Sequence, residues 1–249
     1  MTGRLARIRR HPIKSAGGED LARVNLTAGQ RLPGDREWAV LTEPGERLAA
    51  NRAPTEWLPK SAFLNTAKSH ALQAVQGGWS GNKLTLSHPE QPPISADPAI
   101  DPNALIDWLR PLWPSDRGAP TRLVRSADGW TDARHPFVSI LSLSSLTALE
   151  QAMGQSLDME RWRGNLWVEG WAPFAERALI GQTIQIGEAS LRIDQNIGRC
   201  AAPSGNAATG LTDCDMLVAL RRLYDRTDFG VFATVVTGGE IALGDEVQS

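Results

Sequence analysis

The chain has 249 residues, 41% of them hydrophobic and 22% charged, and its formal net charge is −2. This length allows one large or two ordinary domains, and the near-neutral charge excludes a general nucleic-acid binder. No apolar run reaches the roughly 18–20 residues of a membrane-spanning helix, and the N-terminal segment lacks the apolar core of a secretory signal. Two cysteines exclude a disulfide-rich scaffold. We therefore expect a cytoplasmic protein without a membrane or nucleic-acid partner.

The charge is unevenly distributed along the chain. Residues 1–36 carry eight Lys or Arg against three Asp or Glu, a net charge of +5, and the remainder of the chain is acidic. A local basic zone on an acidic protein is a candidate site for a small anion such as phosphate. A solvated strand face explains the same charges, and the sequence leaves both interpretations open.

Strand patterns dominate the sequence. Alternating apolar and polar residues, with turn signals between them, predict strands or hairpins over residues 21–27, 37–41, 83–87, 183–194 and 231–247. The hairpin over 183–194 is expected to turn at Gly187-Glu188, and the tail is expected to turn at Gly238-Gly239. Strands of this length and spacing suggest a small antiparallel barrel.

Three helices are predicted from apolar residues at helical spacing, over residues 102–113, 143–153 and 216–224. Asp101 is the expected N-cap of the first, Ser142 or Ser144 of the second, and Asp213 or Asp215 of the third. Their apolar stripes are typical of core packing and need no ligand.

The Pro- and Asp-rich stretch 88–103 is predicted to be a loop or boundary, and residues 114–136 are also rich in turn residues. We therefore divide the chain into residues 1–113, a smaller N-terminal β unit, and residues 114–249, a larger β-rich domain.

Cys200 is the first candidate for chemistry. It follows a predicted strand and stands beside Arg199, between Gly198 and Pro203. A lone cysteine is usually a small buried hydrophobe, but a neighbouring cation favours the thiolate, which is the nucleophile and the metal ligand. Cys214, next to the start of a predicted helix, is interpreted as structural.

Two further groups of residues suggest an anion site. If residues 161–165 are extended, Arg161, Arg163 and Asn165 share one face and could hold an anion or a heterocycle. A surface strand with ion pairs is the alternative. Lys14, Ser15 and Arg36 are a set of side chains suited to phosphate, although their spacing is not that of a P-loop.

Asp132 and His135 form a possible acid–base pair in the segment Asp132-Ala133-Arg134-His135-Pro136. A capped turn before a strand is the simpler interpretation. No zinc-like His spacing, G-x-S-x-G, G-x-G-x-x-G or C-x-x-C motif is found.

Taken in order, several fragments resemble the MOSC family, the proteins related to the C-terminal domain of molybdenum cofactor sulfurase. HPIKS, LPGDREWAV and EWLPKSAFL are similar to the N-terminal β-barrel domain of that family. RWRGNLWVEG, LIGQTIQIGEASLRI, GRCAAPSGNAATG and FGVFATVVTGGEIALGDEV are similar to the MOSC domain itself. The resemblance covers nearly the whole chain. Members of the family include the mitochondrial amidoxime reducing component and bacterial reductases of N-hydroxylated bases.

The resemblance implies a mainly β (α+β) fold: a MOSC β-barrel, a smaller N-terminal MOSC-type β-barrel domain and a few helices. It also implies a molybdopterin-type molybdenum cofactor with Cys200 on the metal. Lys14, Ser15 and Arg36 match positions that hold the cofactor phosphate, and Arg163 and Asn165 match positions that hold the pterin. Arg199 is counted with these cofactor-binding residues, and Asp132 lies near the family's active-site aspartate.

The implied activity is reduction of small N-oxygenated or S-oxide substrates. Because the chain has no Cys-rich ferredoxin segment, the electrons are expected from a separate flavin, iron–sulfur or haem protein. Asp132 or His135 would handle protons.

The chain departs from the family pattern at two places. Gly205-Asn206-Ala207 stands where many relatives have Val-Asn-Pro, and Arg134-His135 stands where many have one residue. The first of these departures keeps a non-enzymatic binding module open as one alternative. A sulfur carrier with a persulfide on Cys200 is the other alternative, which the family association suggests. The family association with pyridoxal-phosphate sulfurases has no cofactor lysine to support it here, since no Lys follows Lys83.

Overall fold

The computed structural model describes residues 1–249 and contains fifteen β-strands and four α-helices. The strands are β1 (Thr2–Arg10), β2 (Glu19–Leu21), β3 (Arg23–Leu26), β4 (Trp38–Thr42), β5 (Gln76–Ser80), β6 (Lys83–His88), β7 (Gln91–Ala96), β8 (Pro120–Arg125), β9 (Val138–Ser142), β10 (Leu166–Glu169), β11 (Thr183–Ile186), β12 (Ala189–Gly198), β13 (Asp228–Thr237), β14 (Gly239–Ala242) and β15 (Glu246–Gln248). The helices are α1 (Glu43–Ala49), α2 (Pro102–Leu109), α3 (Leu143–Met153) and α4 (Met216–Tyr224). None of these helices has the length and apolar character needed to span a membrane.

Seven strands close into a barrel in the order β1-β10-β9-β13-β12-β11-β15, with β15 returning to β1. Only β9 and β10 in this ring run parallel. A cluster of 20 buried apolar residues fills the interior. Ile184, Ile186, Leu191 and Ile193 point into it, because alternate residues of a strand face the same side. The expected mainly β fold with a MOSC-type barrel is confirmed.

The middle of the chain packs around a second hydrophobic core, which is separate from the core of the barrel. It contains the β4–β8 pair and the three-stranded sheet β5-β6-β7. A cluster of 16 buried apolar residues joins these strands to α2. The first strand of the chain lies in the large barrel, since β1 pairs with β10 and β15. The division at residues 113 and 114 stays a prediction.

The predicted helices are present, and their N-caps are now resolved. The side chains of Asp101, Ser142 and Asp215 accept hydrogen bonds from backbone N–H groups of the first turn of α2, α3 and α4, respectively. The first helix is shorter than predicted. It ends at Leu109 and continues as a 3₁₀ turn over Arg110–Leu112, because Pro111 has no N–H for the α-helical ladder.

The structure differs from the sequence-based expectations about strands at four places. The stretch predicted as a loop contains β7, an edge strand that pairs only with β6 and therefore tolerates Pro92 and Pro93. Residues 114–136 likewise contain β8. The tail is not a hairpin: β14 pairs with β3, and β15 pairs with β1 and β11. The strand predicted over 21–27 is divided at Ala22 into β2 and β3, which pair with different partners.

Candidate functional site

A cavity of about 310 Å³ lies where the large barrel meets the middle part of the chain. Seven Lys or Arg and two Asp are among its lining residues. The cations are Lys14, Arg31, Arg36, Lys60, Arg161, Arg163 and Arg199. On a protein with a net charge of −2, this concentration of positive charge makes the cavity a candidate site for an anion.

Backbone strain is concentrated at the same cavity. Five non-glycine residues have positive φ, and three of them, Ser15 (67°), Arg36 (55°) and Arg163 (47°), line the cavity. The left-handed conformation costs an L-residue about 1–2 kcal/mol, and such residues cluster at functional sites. The strain therefore marks the cavity as a candidate functional site independently of its charge.

Lys14 is buried in the cavity wall. Its ammonium donates to the Trp130 carbonyl at 2.8 Å and to an Asp132 carboxylate oxygen at 2.5 Å. Burial lowers the Lys14 pKa below its ordinary value, and the nearby Arg36 and Arg163 lower it further, against the opposing effect of Asp132. Lys14 is thus a buried cation that is ion-paired with the Asp132 carboxylate.

The buried carboxylate of Asp35 orients the Arg36 side chain. Its guanidinium donates to the Asp35 carboxylate and, at 2.9 Å, to the Arg163 carbonyl. Asp35 also accepts from the His11 backbone N–H at 2.8 Å. Burial acts to raise the Asp35 pKa, but Arg36 and His11 outweigh it and hold that pKa well below its ordinary value. His11 lies fully buried beside this carboxylate, and burial lowers its pKa well below the usual range.

Arg163 ties the wall of the cavity to the turn that carries Lys14 and Ser15. Its guanidinium donates to the carbonyls of Gly17 at 3.0 Å and Ile13 at 3.3 Å. Burial first, and then Arg36, lower the Arg163 pKa to about 9. Ser15 itself is buried and lines the cavity beside these groups.

Residues 161–165 are not extended, so the condition for Arg161, Arg163 and Asn165 to share one strand face is not met. Met159–Trp162 form a 3₁₀ turn, Arg163 is left-handed, and the strand begins only at Leu166. Arg161 and Arg163 therefore diverge: Arg161 donates to the carbonyls of Pro203 and Gly205 and pairs with Asp213. The structure brings all three predicted residues to the cavity wall, and of the two arginines only Arg163 has no acidic partner within ion-pair distance.

Asn165 is committed to the barrel. Its amide oxygen accepts from the Ser139 hydroxyl at 2.8 Å and its amide nitrogen donates to the Arg9 carbonyl at 3.2 Å. Because both ends of the side chain are occupied, Asn165 fixes strands β1, β9 and β10 at the cavity rather than offering a free hydrogen-bonding group.

Cys200 lines the cavity just after the end of β12, in the loop that begins at Arg199. Arg199 donates to the carbonyls of Phe229 at 2.8 Å and Trp162 at 3.0 Å, and burial lowers its pKa to about 9. Cys214 is half-buried outside the cavity, where desolvation raises its pKa to about 11. No cluster of three or more His, Cys, Asp and Glu side chains is placed to hold a metal ion. Cys200 is therefore a single ligand at most.

Asp132 and His135 are separated by the structure. Asp132 lines the cavity and is ion-paired with Lys14, whereas His135 is exposed, lies outside the lining, and has its ring 5.6 Å from the ring of Phe137. Partial burial favours a raised Asp132 pKa, but Lys14 outweighs it and holds the pKa below its ordinary value. The pairing of these two residues as acid and base has no support in the geometry.

Sequence reasoning missed three parts of the lining. Arg31 donates to the Thr131 hydroxyl and the Ala133 carbonyl, and Lys60 lies 3.8 Å from Asp132. Phe137 and Phe232 form a stacked aromatic pair with ring centroids 5.1 Å apart. Arg31 belongs to the basic excess of residues 1–36, which was the signal available for it.

Comparisons with known proteins agree with this architecture. The family model for the MOSC domain matches residues 132–248, and the model for the MOSC N-terminal beta barrel domain matches residues 2–104. No curated protein matches the chain significantly.

Among solved structures, the YUAD protein from Bacillus subtilis is 14% identical and covers 99% of this chain and 94% of its own, with a TM-score of 0.48. YiiM from Geobacillus stearothermophilus is 14% identical and covers 45% of this chain and 52% of its own, with a TM-score of 0.34. The matches of the two family models, in the same order as the two parts of the chain, show that the protein belongs to the MOSC family.

Proposed function

We propose that this protein binds a molybdenum cofactor of the molybdopterin type and reduces small N-oxygenated substrates. The observation that carries the proposal is the Cys200 thiol on the wall of a cavity lined by seven Lys or Arg residues. MOSC domains are associated with molybdenum cofactor binding or sulfuration, and the cavity has groups for both parts of such a cofactor.

The cationic lining fits the cofactor's phosphate. Lys14, Ser15 and Arg36 lie on neighbouring turns, and two of the three hold strained left-handed backbone. Ammonium and guanidinium groups in a partly buried site form the strong, charge-assisted hydrogen bonds that select phosphate. In the proposal, these three residues hold the phosphate. Arg163 places its charge at the cavity wall and holds the pterin, next to the strands that Asn165 fixes.

The thiol fits the metal. Thiolate is a soft ligand, and a single cysteine leaves the remaining coordination positions to the cofactor and the substrate. When bound, the cofactor supplies the two electrons needed to cleave an N–O bond. Arg199, next to Cys200, contributes positive charge to this end of the cavity.

The chain's own residues orient the substrate and manage protons. Reduction of an N-hydroxylated substrate to the amine and water consumes two protons and two electrons. Because Lys14 keeps the Asp132 pKa low, Asp132 is a carboxylate at neutral pH and accepts a hydrogen bond from an N–H or O–H group of the substrate. Because Asp132 is half-exposed, this side of the cavity is open to solvent, which supplies the two protons.

The electron donor is a separate protein in this proposal. The chain has two cysteines, and one of them is assigned to the metal, so the thiolates required for an iron–sulfur cluster are absent. A flavin, iron–sulfur or haem carrier would deliver electrons.

The test is the metal and pterin content of the protein after expression in a host that makes molybdopterin. We expect near-stoichiometric molybdenum and pterin in the wild type and loss of molybdenum in Cys200→Ala. Cys214→Ala is the matched control, since Cys214 is also half-buried but lies outside the cavity. Wild-type protein without molybdenum or pterin would contradict the proposal.

A loaded protein is then assayed with an N-hydroxylated amidine and a chemically reduced electron donor. We expect amidine to form with the wild type and Cys214→Ala but not with Cys200→Ala. If the protein holds no cofactor, the same pair of variants tests sulfur transfer, because a cysteine desulfurase would add sulfur to Cys200 and not to Cys214. The added mass of a persulfide on Cys200 would then favour the sulfur-carrier function.

A further inference from the structure

The loop that follows Cys200 rests on a 3₁₀ turn from the N-terminal part of the chain, His70–Ala74. A β-carbon on Gly205 would lie 2.9 Å from the β-carbon of His70, and one on Gly210 would lie 2.9 Å from the α-carbon of Ala71. Real side chains do not approach so closely. Both glycines are therefore required by the close approach of this turn, and Gly210 also has a φ of +72°.

The His70 ring bridges the two ends of this loop. Its Nε2 lies 3.1 Å from the Ala201 carbonyl oxygen, and its Nδ1 lies 2.7 Å from the Thr212 hydroxyl. A carbonyl can only accept, so Nε2 donates, and in the neutral ring Nδ1 accepts from Thr212. Ala201 is the residue next to Cys200, so this bond constrains the backbone that carries the thiol.

The opposite side of the loop is held by Arg161, which is buried. It donates to the carbonyls of Pro203 and Gly205 and pairs with Asp213. The loop between Cys200 and Cys214 is thus fixed from the barrel side by Arg161 and from the N-terminal side by His70. Of the two contacts, only that of His70 reaches the residue adjacent to Cys200.

We propose that His70 is a positioning residue, which holds the Cys200 thiol at the cavity wall from the other part of the chain. Gly205 is the complementary feature, because the space a side chain would need is filled by the His70 side chain, from its β-carbon into the ring. The departure from the family pattern at Gly205-Asn206-Ala207 is then a packing adjustment to His70. The value of this arrangement for metal binding rests on the proposed function, but the placement of the thiol does not.

The test is the rate at which Cys200 reacts with a thiol reagent in the full chain made without molybdopterin, with labelling of Cys200 and Cys214 followed separately by mass spectrometry. We expect His70→Ala to accelerate labelling of Cys200 about fivefold, the factor that corresponds to one net hydrogen bond of about 1 kcal/mol. Labelling of Cys214 is expected to stay within twofold of the wild-type rate.

Gln76→Ala is the matched control. Gln76 also comes from the N-terminal part of the chain and donates to the Ala207 carbonyl at 3.1 Å, but that carbonyl is far from Cys200 along the loop. We expect it to leave the Cys200 rate unchanged. His70→Gln, which can still donate and accept, should restore most of the wild-type rate. Thr212→Val removes only the hydroxyl partner and serves if His70→Ala does not fold.

A second pair of variants tests the packing. Gly205→Val should accelerate Cys200 labelling at least as much as His70→Ala, because the valine displaces the ring. The double variant His70→Ala/Gly205→Val should then be no faster than Gly205→Val alone, since the valine has already broken the His70 contact. Fully additive effects would overturn the assignment of Gly205.

The assignment of His70 is overturned if His70→Ala leaves the labelling rate of Cys200 unchanged. It is also overturned if His70→Ala raises the labelling rates of both cysteines, or if Gln76→Ala raises the Cys200 rate as much as His70→Ala does. Molybdenum content is the second readout after expression with molybdopterin. A fall in His70→Ala and not in Gln76→Ala supports the consequence for metal binding. If even the wild type holds no molybdenum, the proposed function fails while the thiol result still decides the role of His70.

Discussion

The Lys14 ammonium lies 2.5 Å from a carboxylate oxygen of Asp132, and this ion pair closes one side of the cavity. The two residues are 118 positions apart in the chain. Lys14 is buried, with 4% of its side chain exposed, whereas 54% of the Asp132 side chain is exposed. The exposed carboxylate therefore favours the charged form of the buried ammonium, against the effect of burial.

Asp132→Asn should make Lys14 lose its proton at a lower pH. Burial lowers the Lys14 pKa and the Asp132 carboxylate opposes that shift, so removing the negative charge lowers the pKa further. We expect the free energy of unfolding at pH 7 to fall by about 1–2 kcal/mol, modest because the carboxylate is half-exposed. The second measurement is the rise in Tm that inorganic phosphate causes, followed from pH 7 to pH 10. In Asp132→Asn this rise should disappear at a lower pH than in the wild type.

Asp116→Asn is the matched control for this experiment, since Asp116 is exposed, lies outside the cavity and forms no ion pair within 4 Å. It should show the wild-type dependence of the phosphate effect on pH. An identical dependence in Asp132→Asn would show that Asp132 does not set the charge of Lys14.

Arg36→Lys should weaken phosphate binding by about tenfold or more, because the ammonium cannot replace the two-pronged hydrogen bonding of the guanidinium. Phosphate that binds the folded state raises stability by an amount set by its concentration over Kd. A titration of Tm against phosphate therefore measures the change. Arg23→Lys is the control, since Arg23 is exposed, pairs with Glu240 and lies outside the cavity. Equal phosphate affinity in both variants would argue against Arg36 as an anion ligand.

Asp35→Asn should destabilise the protein most at neutral pH. Its folded-state pKa lies well below the ordinary 3.8, so its contribution is full above that pH and is lost as pH falls toward the folded-state pKa. Removing one partner of a buried pair costs about 3–5 kcal/mol. Urea unfolding followed by Trp fluorescence should therefore show a large loss at pH 7 and a shallower decline below pH 4 than in the wild type.

His11 provides an internal comparison for that series. Burial keeps it neutral in the folded state, so the unfolded chain gains a proton below the ordinary His11 pKa of 6.5 and stability declines as pH falls below that value. This earlier decline should persist in Asp35→Asn, which separates the two groups. If the slope below pH 4 matches the wild type, Asp35 is not the carboxylate that responds there.

Local signals were enough to predict helices but not all strands. The apolar stripes and N-caps of α3 and α4 are contained within a few residues, so both helices were predicted with their observed bounds. The pairing of β14 with β3 joins residues more than 200 positions apart, and no local pattern encodes it. β7 was missed because its two prolines indicate a loop, although they are tolerated at a sheet edge.

The candidate site shows the same limit. The identity of its cations could be predicted from residue type and from the family resemblance, and most of them do line one cavity. The sequence could not show in which direction each side chain points. Arg161 and Arg163 are two residues apart, yet the left-handed backbone at Arg163 sends one guanidinium to Asp213 and the other to the turn at Gly17. His135 was predicted with Asp132 for the same reason, because proximity along the chain does not give a shared orientation.

Ser15→Gly should stabilise the fold while weakening phosphate binding. Ser15 has a φ of +67°, which costs an L-residue about 1–2 kcal/mol, whereas glycine adopts it freely and loses about 0.5–1 kcal/mol through the entropy of the unfolded chain. We therefore expect a net gain of about 0.5–1 kcal/mol in the free energy of unfolding. Loss of the hydroxyl at the cavity should raise the Kd for phosphate.

Asp225→Gly separates the two effects. Asp225 has a similar φ of +54° at the C-terminal end of α4, where glycine is the usual residue, and it lies outside the cavity. It should therefore gain stability without any change in phosphate affinity. If Ser15→Gly gains stability and binds phosphate as well as Asp225→Gly does, the strain at Ser15 is not maintained for the anion, and the phosphate site lies elsewhere along the cavity wall.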